Sequence, residues 1–163
     1  MLALMLRYRV CKSFEVESGH MLSKHAGLCR FPHGHSRRID VVFSAARLDS
    51  QDMVADFKAL KLAMTPIVRA WDHAMAMNSA DPMLGRMGAD QRVVVFEGED
   101  PTTEVMARAV YEHLSRELRS GKTYTDENGQ TYRLPGPESD VRLERVRVTE
   151  TSCLLYTSDA ADE

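Results

Sequence analysis

The chain has 163 residues, a formal net charge of −3 and a pI of about 6.1. Its length fits one domain with a real core, and 44% hydrophobic with 28% charged residues excludes a disordered chain. The mildly acidic balance gives no reason to expect nucleic acid or an anionic membrane as a partner. Three scattered cysteines argue against a disulfide framework. No apolar run approaches the roughly 18 residues of a spanning helix, and Met1–Leu6 is too short for a signal core. The expected compartment is the cytoplasm.

Leu6 to Glu17 alternates loosely and reads as a strand, and 18–34, rich in Gly, His and Lys, as a loop that carries chemistry. Ile39, Val41, Val42 and Phe43 mark a second strand over 37–47. Phe57, Leu60, Met64, Ile67, Val68 and Trp71 repeat at helical spacing behind Asp56, a natural N-cap. Pro66 falls inside that pattern and is expected to kink or split the helix. Residues 78–91 read as irregular loop and Arg92–Phe96 as a short strand. A second helix opens at Pro101-Thr-Thr-Glu104, with Met106, Ala109, Val110, His113, Leu114 and Leu118 on its apolar face and Gly121 at its end. Asn128-Gly129 predicts a hairpin turn, and 141–149 alternates as a half-exposed strand. Strands and helices do not strictly alternate, which points to an α+β antiparallel sheet with helices on one face.

The densest chemistry is Cys29-Arg-Phe-Pro-His33-Gly-His35, with His20 upstream. In a strand, His33 and His35 project from one face. A third imidazole from a neighbouring strand would make a three-histidine site with an open fourth position, as in catalytic zinc. Spacing alone leaves metal binding and ordinary surface histidines both open. It also leaves Cys29 open as a buried thiol, a metal ligand, or a thiolate base activated beside a cation. Asp72-His73 follows the first helix and reads by spacing as a helix-end charge and a neutral His. Glu104 complements the helix dipole. Glu150 is a strand-end carboxylate suited to accept a guanidine-like N–C–N edge with two oxygens.

Together these residues resemble one family. Phe14–His20, Cys29–His35, Asp52–Leu60, Trp71–Asn78, Pro101–Glu104 and Val148–Thr151 are similar, in order, to the motifs of the 6-pyruvoyltetrahydropterin synthase / 6-carboxytetrahydropterin synthase family and cover about residues 8–151. The resemblance implies the tunnelling fold, an antiparallel four-stranded sheet with two helices on one face, closed into a barrel by oligomerisation, in a hexamer. It implies Zn2+ held by His20, His33 and His35, and a small pterin triphosphate substrate. Cys29 would be the catalytic thiol and Asp72-His73 a proton relay, joined to the zinc site across a subunit interface. Glu150, with Glu104, would bind the pterin.

The three-residue spacer between Cys29 and His33 resembles the 6-carboxytetrahydropterin synthases of the queuosine pathway. The implied reaction converts 7,8-dihydroneopterin triphosphate to 6-carboxy-5,6,7,8-tetrahydropterin. The alternatives are the 6-pyruvoyl reaction, which stops after triphosphate elimination, and a non-catalytic zinc protein that binds pterin. Lys24, Arg30, Arg37 and Arg38 are candidate cations for the triphosphate. Ser18-Gly19 stands where the family usually has Ala-Ala, and 120–137 reads as an insertion. Residues 1–152 are expected to form one domain. Residues 153–163 do not resemble the family's ending and read like translated adapter sequence, so no functional weight is placed on them.

Overall fold

Side-chain alternation decides how this sheet buries itself. The computed structural model describes residues 7–150 and, for the backbone alone, 154–159. Strand β1 (Tyr8–His20) pairs antiparallel with β2 (His33–Ala45) along its whole length. On the same side lie Val16 of β1, Ile39, Val41, Phe43 and Ala45 of β2, and Val146 and Val148 of β7 (Arg142–Glu150), all buried. A register shift between Val42 and Phe43 leaves one extra residue, Glu144, on β7, so that Leu143 rejoins this buried face opposite Phe43.

Helices α1 (Phe57–Trp71) and α2 (Thr103–Ser120) cover that face. Asp56 caps α1 by accepting from the Lys58 amide. Thr102 caps α2, and Gly121 ends it at φ 56°, a left-handed conformation that glycine reaches without Cβ strain. Leu60, Met64, Met106, Val110 and Leu114 are almost fully buried, each contributing about 1.5–3 kcal/mol of apolar transfer. Helix α1 runs unbroken through Pro66. The proline is exposed, so the carbonyl it deprives of a partner lies toward solvent. Phe57, expected on the apolar face, is half exposed under the Lys12 ammonium.

The sheet differs from the expected four antiparallel strands. Strand β3 (Met75–Asn78) pairs parallel with β1, and β4 (Val93–Phe96) pairs parallel with β3. With β8 (Leu154–Asp159) against β7, the order is β4-β3-β1-β2-β7-β8, a six-stranded mixed sheet. The family-atypical tail thus contributes backbone to an edge strand, while Cys153 lies outside the described residues. Strands β5 (Thr123–Thr125) and β6 (Thr131–Arg133) form the separate hairpin predicted at Asn128-Gly129, with Gly129 at φ 78°. No helix among the described residues is long and apolar enough to cross a membrane.

Candidate metal centre

The buried face of the sheet changes character toward one end. The apolar Val16, Ile39 and Val148 give way to Ser18, Arg37 and Glu150, and then to imidazoles. The register pairs Val16 with Arg37, Ser18 with His35 and His20 with His33, while Arg37 pairs with Glu150 on β7. Both strands run further than the sequence suggested: β1 reaches His20 and β2 begins at His33, which shortens the expected 18–34 loop to 21–32. That extension places His33 and His35 on one face and aligns His20 opposite His33.

The three rings meet. Their centroids are 4.5 to 5.1 Å apart, and each offers a ligand atom within 4.8 Å of the others. Among the described residues no other group of three or more His, Cys, Asp or Glu side chains is so disposed. His20 Nδ1 lies 2.8 Å from the Pro101 carbonyl and His33 Nδ1 2.7 Å from the Phe31 carbonyl. A carbonyl can only accept, so both Nδ1 atoms carry the proton. The two Nε2 atoms face each other at 3.0 Å. Burial pushes His20 down to about 4, so it stays neutral at physiological pH, and burial also lowers His35.

A metal ion shared by the two Nε2 atoms would satisfy both. Zinc–imidazole bonds of about 2.0–2.1 Å in a tetrahedron bring two ligand nitrogens to roughly 3.3 Å, close to the observed spacing. The donor set fits zinc: three imidazoles, two of them oriented by backbone carbonyls at the far nitrogen.

Around the triad, Glu150 is 5% exposed. Its Oε2 lies 3.7 Å from His35 Nε2, and Thr103 packs its hydroxyl toward the carboxylate. Burial pushes this carboxyl up, but the Arg37 charge and the Thr103 bond outweigh it and hold it below the usual range. Cys29 is half-buried on a short 3-10 turn, Leu28–Arg30, whose return is fixed by the Leu22 amide donating to the Cys29 carbonyl at 3.0 Å. Glu104 is exposed in the first turn of α2.

Asp72 and His73 sit on the turn between α1 and β3, docked against Glu17. The Glu17 amide donates to Asp72 Oδ1 at 3.0 Å, and the His73 amide to the Glu17 carbonyl at 2.6 Å. Asp72 Oδ2 holds His73 Nδ1 at 3.0 Å. Adjacent residues on a helix could not meet this way; His73 manages it outside the helix, at φ 55°. The Glu17 amide bond, followed by the His73 bond, holds the Asp72 carboxyl below its ordinary range. The His73 side chain is 75% exposed and projects away from its own chain.

Of the candidate triphosphate cations, Arg37 is buried and committed to Glu150, which removes it from that role. Arg38 lies on the opposite face of the sheet, bonded to Asp40. Lys24 reaches the Gly98 carbonyl, and Arg30 stacks over Phe31.

Asp100 escaped the sequence reading. It is 7% exposed and accepts from Ser23 Oγ at 2.7 Å, the Lys24 amide at 2.7 Å and Asn78 Nδ2 at 2.9 Å. It thereby ties the loop that carries Cys29 to the segment whose Pro101 carbonyl orients His20. Its only sequence signal was its place directly before Pro101.

The model of the 6-pyruvoyl tetrahydropterin synthase family matches residues 9–160. The chain belongs to that family. A Halobacterium salinarum protein named "Probable 6-carboxy-5,6,7,8-tetrahydropterin synthase" is 33% identical over 97 residues, covering 58% of this chain and 61% of that relative. The chain thus spans somewhat less than two thirds of that relative. A Rickettsia felis protein named 6-carboxy-5,6,7,8-tetrahydropterin synthase is 24% identical over 127 residues, 76% of this chain and 92% of its own length. Among solved structures, an uncharacterized Wolinella succinogenes protein superimposes with a TM-score of 0.71 at 19% identity, over 94% of this chain and 98% of that one. The α+β architecture with two helices on the sheet is the family's fold.

Proposed function

We propose that this protein is a zinc-dependent lyase that converts 7,8-dihydroneopterin triphosphate to 6-carboxy-5,6,7,8-tetrahydropterin, in the cytoplasm and as a homo-oligomer whose sheets join into a barrel. The observation that carries the metal reading is the convergence of His20, His33 and His35, with the Nε2 atoms of His20 and His33 facing each other at 3.0 Å. The shared name of the curated relatives supports the carboxy product.

His20, His33 and His35 would hold the zinc. When bound, zinc supplies Lewis acidity toward the oxygens of the substrate's side chain. Cys29, on its fixed turn, moves a proton to or from the side-chain carbons. His73 exchanges protons at Nε2 because Asp72 holds the ring by Nδ1. Since His73 projects from its own chain, it serves the site of a neighbouring subunit. Glu150, buried at the end of β7, accepts the pterin's N–C–N edge, and Glu104, exposed in the first turn of α2, contributes to pterin binding. Triphosphate is eliminated and a two-carbon aldehyde leaves.

Mass spectrometry of the products formed by the purified, zinc-quantified protein from 7,8-dihydroneopterin triphosphate tests this. The expected product is 6-carboxytetrahydropterin. Accumulation of the 6-pyruvoyl compound would assign the shorter reaction, and unchanged substrate would contradict the lyase reading.

A further inference from the structure

Arg37 carries the same chemical edge that the pterin would bring to Glu150: a planar carbon flanked by N–H donors. It is 1% exposed. Its Nε donates to Glu150 Oε1 at 2.9 Å, and its Nη2 lies 2.8 Å from that same oxygen without an aligned hydrogen bond. Its Nη1 donates to the Ser18 carbonyl at 2.8 Å and to the Ser18 hydroxyl. Arg37 is therefore pinned from β1 and β7 at once. Swinging it out would strip partners from a buried carboxylate and a buried carbonyl together, which is costly. Both Arg37 contacts to Glu150 fall on Oε1; Oε2 is turned toward His35.

We propose that Arg37 is a positioning residue that sets the specificity of the pterin subsite: it keeps Oε1 of Glu150 occupied, so the carboxylate offers an N–C–N edge one oxygen, Oε2, in place of a bidentate pair. This rests on the reading of Glu150 as the pterin anchor. The site therefore takes a fused 2-aminopyrimidine through a single point on the carboxylate, and its selection for that edge is weaker than a free carboxylate would give.

The test is a double-mutant cycle on the holoenzyme with 7,8-dihydroneopterin triphosphate: wild type, Arg37→Met, Glu150→Gln and both together, with bound zinc and the thermal midpoint measured for each. Removing Arg37 frees Oε1. Measured at a pH high enough to keep Glu150 ionised without the Arg37 charge, the KM is then expected to fall by about tenfold, the worth of one added hydrogen bond to a charged acceptor, with kcat changing less than KM. Arg37→Met is also expected to melt earlier without ligand and to be raised further than wild type by neopterin, because ligand binding restores a partner to Glu150. In the Glu150→Gln background the Arg37 substitution is expected to leave KM unmoved. Should Arg37→Met fail to fold, Arg37→Lys, which keeps the cation but loses the fork, is judged by the same KM criterion with a smaller decrease.

A rise in KM on removing Arg37 would make Arg37 a mere support for Glu150 and overturn the proposal. So would an unchanged KM, or an equal effect with and without Glu150. Absence of both turnover and neopterin binding in wild-type holoenzyme overturns the pterin reading itself. Turnover with an unmoved KM in the Arg37 variants overturns only the assignment of Arg37.

Discussion

At the start of β2, the Nε2 atoms of His20 and His33 face each other at 3.0 Å, and the Arg37 Nη2 is buried beside a carboxylate it does not bond well. Beyond the other end of β2, the hairpin of β5 and β6 stands next to the 47–56 loop across a cleft of about 900 Å3. There the half-buried polar groups are paired. Tyr124 donates to Glu117, which also takes Lys122, and Lys58 pairs with Asp126 and covers the Tyr132 ring. Both regions pair polar side chains between packed elements, buried in the first and half-buried to exposed in the second. Only the first gathers three imidazole nitrogens within reach of one ion, which is what a ligand-ready site requires, since a fully paired network has little left to offer. The hairpin, which reads as an insertion in the sequence, packs on α1.

The largest effect that would break this contrast is at His33. His33→Ala should lower zinc affinity by well over the roughly 10–100-fold attributed to outer partners of metal ligands and abolish turnover, read by metal analysis and product assay. Asp100→Ala comes next. Freed from Ser23 and Lys24, the loop that carries Cys29 should lose its alignment, and kcat should fall about 10–100-fold. Peptide-resolved alkylation should show Cys29 reacting at a changed rate. An unchanged alkylation rate with normal kcat would remove Asp100 from the site. At the hairpin, Tyr124→Phe should cost about 1 kcal/mol in urea denaturation while kcat and zinc content stay as in wild type. Loss of activity there would erase the distinction between the two regions.

The smallest effect is a pH dependence. Burial pushes the Glu117 carboxyl up, but the bonds from Tyr124 and Lys122 outweigh it and hold it below its ordinary 4.5. A depressed carboxyl stabilises the fold above its unfolded pKa and loses that contribution as pH falls through the folded one. The stability gap between wild type and Tyr124→Phe should therefore narrow below about pH 4.5. A gap that widens on acidification would contradict the assigned bond.

The helices were legible because their caps and spacing are local: Asp56, Thr102 and Gly121 act within a few residues of themselves. The triad was legible because period-2 alternation fixes His33 and His35 on one face wherever the strand runs. Strand β3 was not, because Met75-Ala-Met-Asn78 has no β-branched residue and is held by parallel pairing to distant β1 and β4. Arg37 looked like a surface cation in Ser36-Arg37-Arg38. Only its pairing with Glu150, 113 residues away, shows it to be buried. Asp100 was invisible for the same reason, since its partners come from 22 to 77 residues distant.

Zinc quantification on the purified wild type, His33→Ala and Cys29→Ala proteins tests the central claim most directly. The account predicts about one zinc per chain in the wild type, its loss in His33→Ala, and its retention with lost turnover in Cys29→Ala. Zinc retained without His33, or lost with Cys29, would contradict the division between imidazoles that hold the metal and a thiol that does chemistry.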